Sequence, residues 1–211
     1  GIFRDEAQLE ATPAKLPNTT VGEPIYVDTN QDGEIDAGDR IRIHSSNVPE
    51  IQYGIFGGFS YKGLDFNFLF QGQADAETLV FFDQSGTLPE HVFTERWTPE
   101  NPDARYPRAF VQGDPISGNQ NTAENFQGAD FWLHDASYLR LKNIELGYTL
   151  RKETLKFGSM RVFFRGLNLL TMFSEIQKLG LDPEATGYNN FRGSTYPSLK
   201  SYSLGVNINF N

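Results

Sequence analysis

The chain closes on Tyr202-Ser203-Leu204-Gly205-Val206-Asn207-Ile208-Asn209-Phe210, where apolar residues alternate without a fault with small or polar ones and an aromatic stands beside the chain end. A period of two sends successive side chains to opposite faces of a strand. One face then carries Tyr202, Leu204, Val206, Ile208 and Phe210, the other Ser203, Gly205, Asn207 and Asn209. The second face is unfit for a dry core, because hydroxyl and amide groups are costly to bury without partners. A strand greasy on one side, wet on the other and ending on Phe fits the closing strand of an outer-membrane β-barrel. A half-buried strand of a soluble sandwich has the same period.

Four further segments alternate in the same way, so that strands are expected at 52–61, 64–73, 138–150, 159–170 and 199–210. Tyr53, Ile55, Gly57, Phe59 and Tyr61 share one face against Gly54, Phe56, Gly58 and Ser60. After a Lys62-Gly63 turn, Leu64, Phe66, Phe68 and Phe70 oppose Asp65, Asn67, Leu69 and Gln71, which makes a hairpin with an aromatic face and a mostly polar one. In 138–150, Ile144, Leu146, Tyr148 and Leu150 oppose Asn143, Glu145, Gly147 and Thr149. The upper part of that strand is out of phase: Leu139 and Leu141 fall on the wet face, Arg140 and Lys142 on the greasy one. Either a bulge near Lys142 restores the pattern or the basic pair lies above the apolar band. In 159–169, Met160, Val162 and Phe164 oppose Arg161, Phe163 and Arg165, and the pattern slips at Gly166.

Short and long connections alternate along the chain. A long connection at 1–50 leads to a hairpin at 51–73, a second at 74–136 to a hairpin at 137–170, and a third at 171–198 to the closing strand at 199–211. An outer-membrane barrel has short periplasmic turns and long extracellular loops, whereas structureless connections of this length count against a compact soluble domain. Each strand reaches the roughly 9–11 residues of a tilted membrane crossing. Five strands cannot close a barrel, for which about eight are needed. The reading is therefore all-β: the C-terminal strands of a larger antiparallel transmembrane β-barrel, with Gly1 near the top of an earlier strand. Phe 18 and Gly 20 suit such strands, and no apolar run is long enough for a membrane helix. A net charge of −9 argues against nucleic acid as a partner, and Cys 0 removes disulfide and thiolate chemistry.

Asp28-Thr29-Asn30-Gln31-Asp32-Gly33-Glu34-Ile35-Asp36-Ala37-Gly38-Asp39 matches a calcium loop. Asp28, Asn30, Asp32, the Glu34 carbonyl, Asp36 and Asp39 fall at ligand positions, Gly33 at the sharp turn, and Ile35 where it pins the loop. Asp39 replaces the usual Glu. The flanks Ile25-Tyr26-Val27 and Ile41-Arg42-Ile43 read as strands, so a structural Ca2+ stiffening a surface loop is expected, without switching. An Asx-bonded turn without metal is the competing reading. No enzyme is expected. His44, His91 and His134 are scattered, and Glu95, Glu100 and Asp103 beside Trp97 read better as loop charge around a packing Trp than as a glycosidase pair. Trp97, Tyr106, Trp132, Tyr188 and Phe191 either contact a ligand or, as favoured here, hold the long loops together.

The order of motifs then carries a resemblance. After the Asp28–Asp39 loop come Pro49-Glu50 before Tyr53-Gly54, Tyr61-Lys62-Gly63-Leu64-Asp65, Phe70-Gln71-Gly72, Arg96-Trp97-Thr98-Pro99-Glu100-Asn101-Pro102 and Asp135-Ala136-Ser137-Tyr138-Leu139-Arg140-Leu141-Lys142-Asn143. Gly166-Leu167-Asn168-Leu169-Leu170, Asp182-Pro183-Glu184, Tyr196-Pro197 and Phe210 complete the series, with Asn211 a small departure after the final aromatic. The chain resembles the C-terminal portion of SusC/RagA-like TonB-dependent outer-membrane transporters of Bacteroidetes. The resemblance implies a plugged barrel of about 22 strands that imports glycans, oligosaccharides or peptides. It further implies a SusD-like surface lipoprotein as lid, TonB as energy source, outer-membrane lipid around the barrel, and recognition of the last strand, through Gly205, Ile208 and Phe210, by the barrel-assembly machinery. A soluble calcium-stabilised β-sandwich, an adhesin or carbohydrate-binding module, is the alternative, and a barrel of another kind would leave the loop motifs unexplained.

Overall fold

The computed structural model describes residues 1–43, 46–80, 90–109, 130–155, 157–185 and 196–210. Five strands form one antiparallel sheet: β1 (Ile51–Tyr61), β2 (Leu64–Ala74), β5 (Tyr138–Leu150), β6 (Gly158–Met172) and β7 (Ser201–Phe210), in the order β1-β2-β5-β6-β7. Each strand pairs with the neighbour before it, and a two-stranded sheet of β3 (Glu77–Leu79) and β4 (Leu133–Asp135) falls between β2 and β5 in the chain. The expected strands lie within two residues of those found. The Lys62-Gly63 turn has φ of 50° and 91°, the two positive values of a type I′ hairpin, and Thr149 donates to the Gly63 carbonyl at 2.7 Å.

Pairing settles the upper part of β5. Leu69 pairs with Asn143 and the next residue, Phe70, with Leu141, so Lys142 is an extra residue in the ladder. On the other side Leu141 pairs with Leu170 and Asn143 with Leu167, which places a second irregularity at Asn168-Leu169, with Asn168 at φ 53°. A bulge flips the faces of everything beyond it. Leu141 thereby joins Phe70 and Leu170 on the apolar face, and Arg140 joins Gln71 and Thr171 on the polar one. The slip read at Gly166 is this bulge two residues further on.

The described residues form two compact units. In one, built from 45–78, 134–188 and 195–211, the sheet presents an apolar face on which Phe59, Leu204 and Val206 are 57%, 82% and 55% exposed. Rings meet along it, Phe59 tilted against Phe66 at 5.6 Å, Phe68 edge-on to Phe70 at 5.7 Å and Phe164 stacked on Tyr202 at 6.2 Å between centroids. Beyond the end of β6, Ser174 caps the short helix Glu175–Lys178, and Ile176 and Leu179 are buried.

In the other unit, of 1–44 and 79–133, the core holds Ile2, Phe3, Val21, Val80, Tyr106 and Trp132. Phe3 donates to the Glu23 carbonyl at 2.9 Å and Gly22 to the Phe3 carbonyl at 2.7 Å. The helix Glu6–Ala11 starts on Asp5, whose carboxylate accepts the Gln8 N–H at 2.8 Å, a cap worth about 1 kcal/mol. Gly22 (φ 89°) makes room for Trp97, whose ring an added Cβ would meet. The expected strands at 25–27 and 41–43 do not form. Pairing stops at the Ile2–Pro24 bridge and the Ile25 N–H donated to the Gly1 carbonyl at 2.9 Å, and Val27 and Ile41 are 70% and 67% exposed.

Candidate functional site

The polar face of the sheet is organised by one arginine. Arg161 on β6 stands beside Thr149 in register, yet its guanidinium crosses β5 and grips both oxygens of Asp65 on β2, with Nε at 3.0 Å from Oδ1. The crossing passes over Gly147, the register partner of Asp65, where an added Cβ would lie 2.7 Å from Arg161 Nε and Cζ. Arg161 Nη2 also donates to Glu145 at 2.7 Å, and Arg165 Nε reaches the other Glu145 oxygen at 2.6 Å. Two carboxylates and two guanidiniums on three strands thus satisfy one another. Asn143 donates to Asn67 at 3.3 Å beside them.

A second cluster sits past the Lys142 bulge. Arg140 Nη2 donates to Asp182 Oδ1 at 2.6 Å and Nη1 to Glu184 Oε2 at 2.9 Å, while Nε reaches Thr171 Oγ1 at 2.9 Å. Lys142 Nζ lies 2.8 Å from Glu184, and Tyr138 donates to the same carboxylate at 3.2 Å. Both basic residues of the out-of-phase segment therefore serve the polar side. Asp182 also accepts the Glu184 N–H at 2.9 Å and the Ser198 N–H at 2.6 Å. Burial pushes the Asp182 carboxyl up; the Arg140 guanidinium and the two backbone N–H groups outweigh it and hold the group below the ordinary carboxylate range. His134 meets Glu175 at 2.9 Å and Glu175 accepts the Asp135 N–H at 3.2 Å.

In the 28–39 loop the side-chain oxygens accept the loop's own N–H groups. Asp28 takes those of Gln31 at 2.6 Å and Gly33 at 2.8 Å, Asn30 that of Asp32 at 3.0 Å, and Asp32 that of Glu34 at 2.9 Å. Asp39 takes Thr29 at 2.7 Å and Asp36 at 2.9 Å, and Asp36 takes Gly38 at 2.6 Å. The Asp36 N–H, joined by those of Thr29 and Asn30, holds the Asp39 carboxyl below the ordinary range. Gly33 has φ 90°, as the sharp turn requires, and Ile35 is half-buried. Asx bonding of this kind organises a turn with or without an ion at its centre. Among the described residues no group of three His, Cys, Asp or Glu side chains converges as a metal site.

The remaining candidates separate. Asp103 pairs with Arg4 at 2.6 Å, and Trp97 Nε1 donates to the Arg4 carbonyl at 3.3 Å. Tyr106 and Trp132 are each 3% exposed, packing residues of their unit. His44, Tyr188 and Phe191 lie outside the described residues. Gly205 pairs with Phe163, Ile208 with Met160 and Phe210 with Gly158 on β6. Sequence reasoning singled out neither the Arg161 group nor the Arg140 group as a unit. The one available signal was the presence of Asp65, Glu145, Arg161 and Arg165 on faces already read as wet.

No protein-family model matches the chain. Its relatives include TonB-dependent receptor P26 of Formosa agariphila, 29% identical over 100% of this chain and 22% of that protein. TonB-dependent receptor SusC of Bacteroides thetaiotaomicron is 27% identical over 90% of this chain and 18% of that protein. The chain spans about a fifth of the length of the curated relatives it matches. Among solved structures, the RagAB peptide importer in its open-open state superposes with a TM-score of 0.61 at 27% identity, over 89% of this chain and 20% of that one. The RagAB peptide transporter gives a TM-score of 0.59 at 26% identity over 79% of this chain and 18% of that one. The chain is thus similar over its whole length to TonB-dependent receptors and over 90% of it to SusC, and it folds as a stretch of a SusC/RagA-like barrel.

Proposed function

We infer that this chain is part of a TonB-dependent outer-membrane transporter that imports glycans, oligosaccharides or peptides beneath a SusD-like surface lipoprotein. The observation that carries the reading is the pairing of whole-chain similarity to TonB-dependent receptors with a sheet whose faces differ in kind. The apolar face, with Phe59 and Leu204 open, suits acyl chains, and the face of Asp65, Glu145, Arg161 and Arg165 suits a wet interior. A soluble sandwich would cover that apolar face with a second sheet, whereas the other sheet among the described residues is the two-stranded pair of β3 and β4. The edges of β1 and β7 would be joined by further strands of the same barrel, because closure alone removes sheet edges. The long connections would face outward toward the lid, the plug and TonB would act from the periplasmic side, and a structural Ca2+ in the 28–39 loop would stiffen one connection. Gly205, Ile208 and Phe210 would present the last strand to the assembly machinery.

The test is uptake. Deleting the gene for the full-length protein should abolish import of one nutrient class, and deleting TonB should abolish the same import. Uptake that survives loss of TonB, or full-length protein recovered in the soluble fraction, overturns the reading.

A further inference from the structure

Alternation decides which face β7 shows and leaves open which of its residues meets which on β6. A one-residue slip would carry Leu204, Val206 and Ile208 to the polar face; a two-residue slip keeps every face. In the first hairpin the Lys62-Gly63 turn removes that freedom. Between β6 and β7 runs the segment 173–200, too long for turn geometry to set the pairing.

One cross-strand pair breaks the degeneracy. Phe163 stands opposite Gly205 on β7 and opposite Gly147 on β5. Its ring lies over Gly205: a Cβ added there would come within 2.7 Å of Cε1 and 3.0 Å of Cε2, and closer still to Cζ. The ring is flanked by guanidiniums, Arg161 Cζ at 5.0 Å and Arg165 Cζ at 5.6 Å from its centroid, both tied to Glu145. Gly205 is the one residue without a side chain on the polar face of β7, whose other members are Ser201, Ser203, Asn207 and Asn209. Any two-residue slip brings Ser203 or Asn207 beneath the ring.

We propose that Phe163 and Gly205 form a lock that sets the register of β7 on β6, an aromatic knob seated in the glycine gap of the last strand. Aromatic cover of a strand glycine is a recognised way to pin register. Phe163 is a positioning residue in this device, and Gly205 is needed as the space its ring occupies. The lock acts on strand pairing alone, whatever the barrel imports.

The experiment uses the full-length protein with Val162→Cys combined in turn with Leu204→Cys, Val206→Cys or Ile208→Cys, bridged by a short thiol-reactive linker; residues 1–211 contain no cysteine of their own. Val162 and Val206 are register partners, so bridging in the native background should concentrate on that pair. Phe163→Ala should spread it over the three pairs. Gly205→Ala should cut the 162/206 yield several-fold or cut the amount of folded barrel. In the Phe163→Ala background, Gly205→Ala should add no further loss, because no ring remains to meet the new methyl. Bridging still confined to 162/206 in Phe163→Ala overturns the lock. So does a Gly205→Ala defect equally large in both backgrounds, which would make Gly205 necessary for a reason apart from Phe163. Because pairing is read and uptake is not, failure here leaves the transport reading standing.

Discussion

Arg161 reaches Asp65 two strands away, across a gap that Gly147 leaves open in β5. The fork geometry of the guanidinium lets it bind Asp65 and Glu145 together, which an ammonium cannot do with the same fit. The side chains of Arg161 and Asp65 keep 22% and 26% of their exposure, so solvent screens part of the attraction, whereas Glu145 at 9% depends on its partners.

Arg161→Met should therefore lower stability by about 1–3 kcal/mol, chiefly by leaving Glu145 half-dry with Arg165 alone. Arg161→Lys should recover only part of that. Gly147→Val, which removes no charge, should cost a similar amount by closing the crossing. The temperature at which the full-length barrel unfolds in detergent measures all three, and a Gly147→Val barrel melting with the wild type would count against the crossing.

The strands were legible because period-two alternation is local: each of the five announces itself within about ten residues. The Lys142 bulge was legible only as a fault, since the partners that resolve it, Phe70 and Leu170, lie far off in the chain. The Arg161–Asp65 pair spans 96 positions, and no spacing rule connects residues brought together by sheet order. The strand character of Ile25-Tyr26-Val27 and Ile41-Arg42-Ile43 misled for the converse reason, because β-propensity describes fit to a ladder and pairing here goes no further than the Ile2–Pro24 bridge and the Ile25 N–H. The helix Glu6–Ala11, capped by Asp5, was not anticipated: it lies within 1–50, which was read as a long connection.

Asp182 gives a pH dependence with a definite sign. Its carboxyl is held below the ordinary range, so the folded state favours the ionised form. The stability it contributes is present above the ordinary carboxylate value and is lost as pH falls through the lowered folded value. Asp182→Asn should be less stable than wild type by about 1–3 kcal/mol at neutral pH. The gap should close on acidification below the carboxylate range, as followed by thermal unfolding across pH. A gap that stays constant into strong acid would mean that Asp182 works by shape alone.

The 28–39 loop offers a direct ligand test. Calcium added to the full-length protein should bind stoichiometrically by calorimetry and raise the unfolding temperature, and Asp28→Ala should abolish both effects while Arg42→Ala leaves them. Asp28 accepts three backbone N–H groups and sits at the first ligand position, so its loss removes ion and turn together. A calcium response unchanged in Asp28→Ala would leave the loop as an Asx turn.

Phe210 is 76% exposed on the last strand, paired with Gly158 and 6.1 Å from the ring of Phe157. An aromatic contact of this kind is worth about 0.5–1.5 kcal/mol beyond its buried area, too little to decide whether a many-stranded barrel folds. If Phe210 acts only through that contact, Phe210→Ser should give near-normal outer-membrane yield with a slightly lower unfolding temperature. If the terminal aromatic is read during assembly, Phe210→Ser should reduce yield far more than Asp28→Ala, and Phe157→Ser, which removes the same ring pair from the other side, should not. Quantifying heat-modifiable barrel in outer membranes of the three variants decides between contact and recognition; equal yields from all three would remove the terminal-signal reading of Gly205, Ile208 and Phe210.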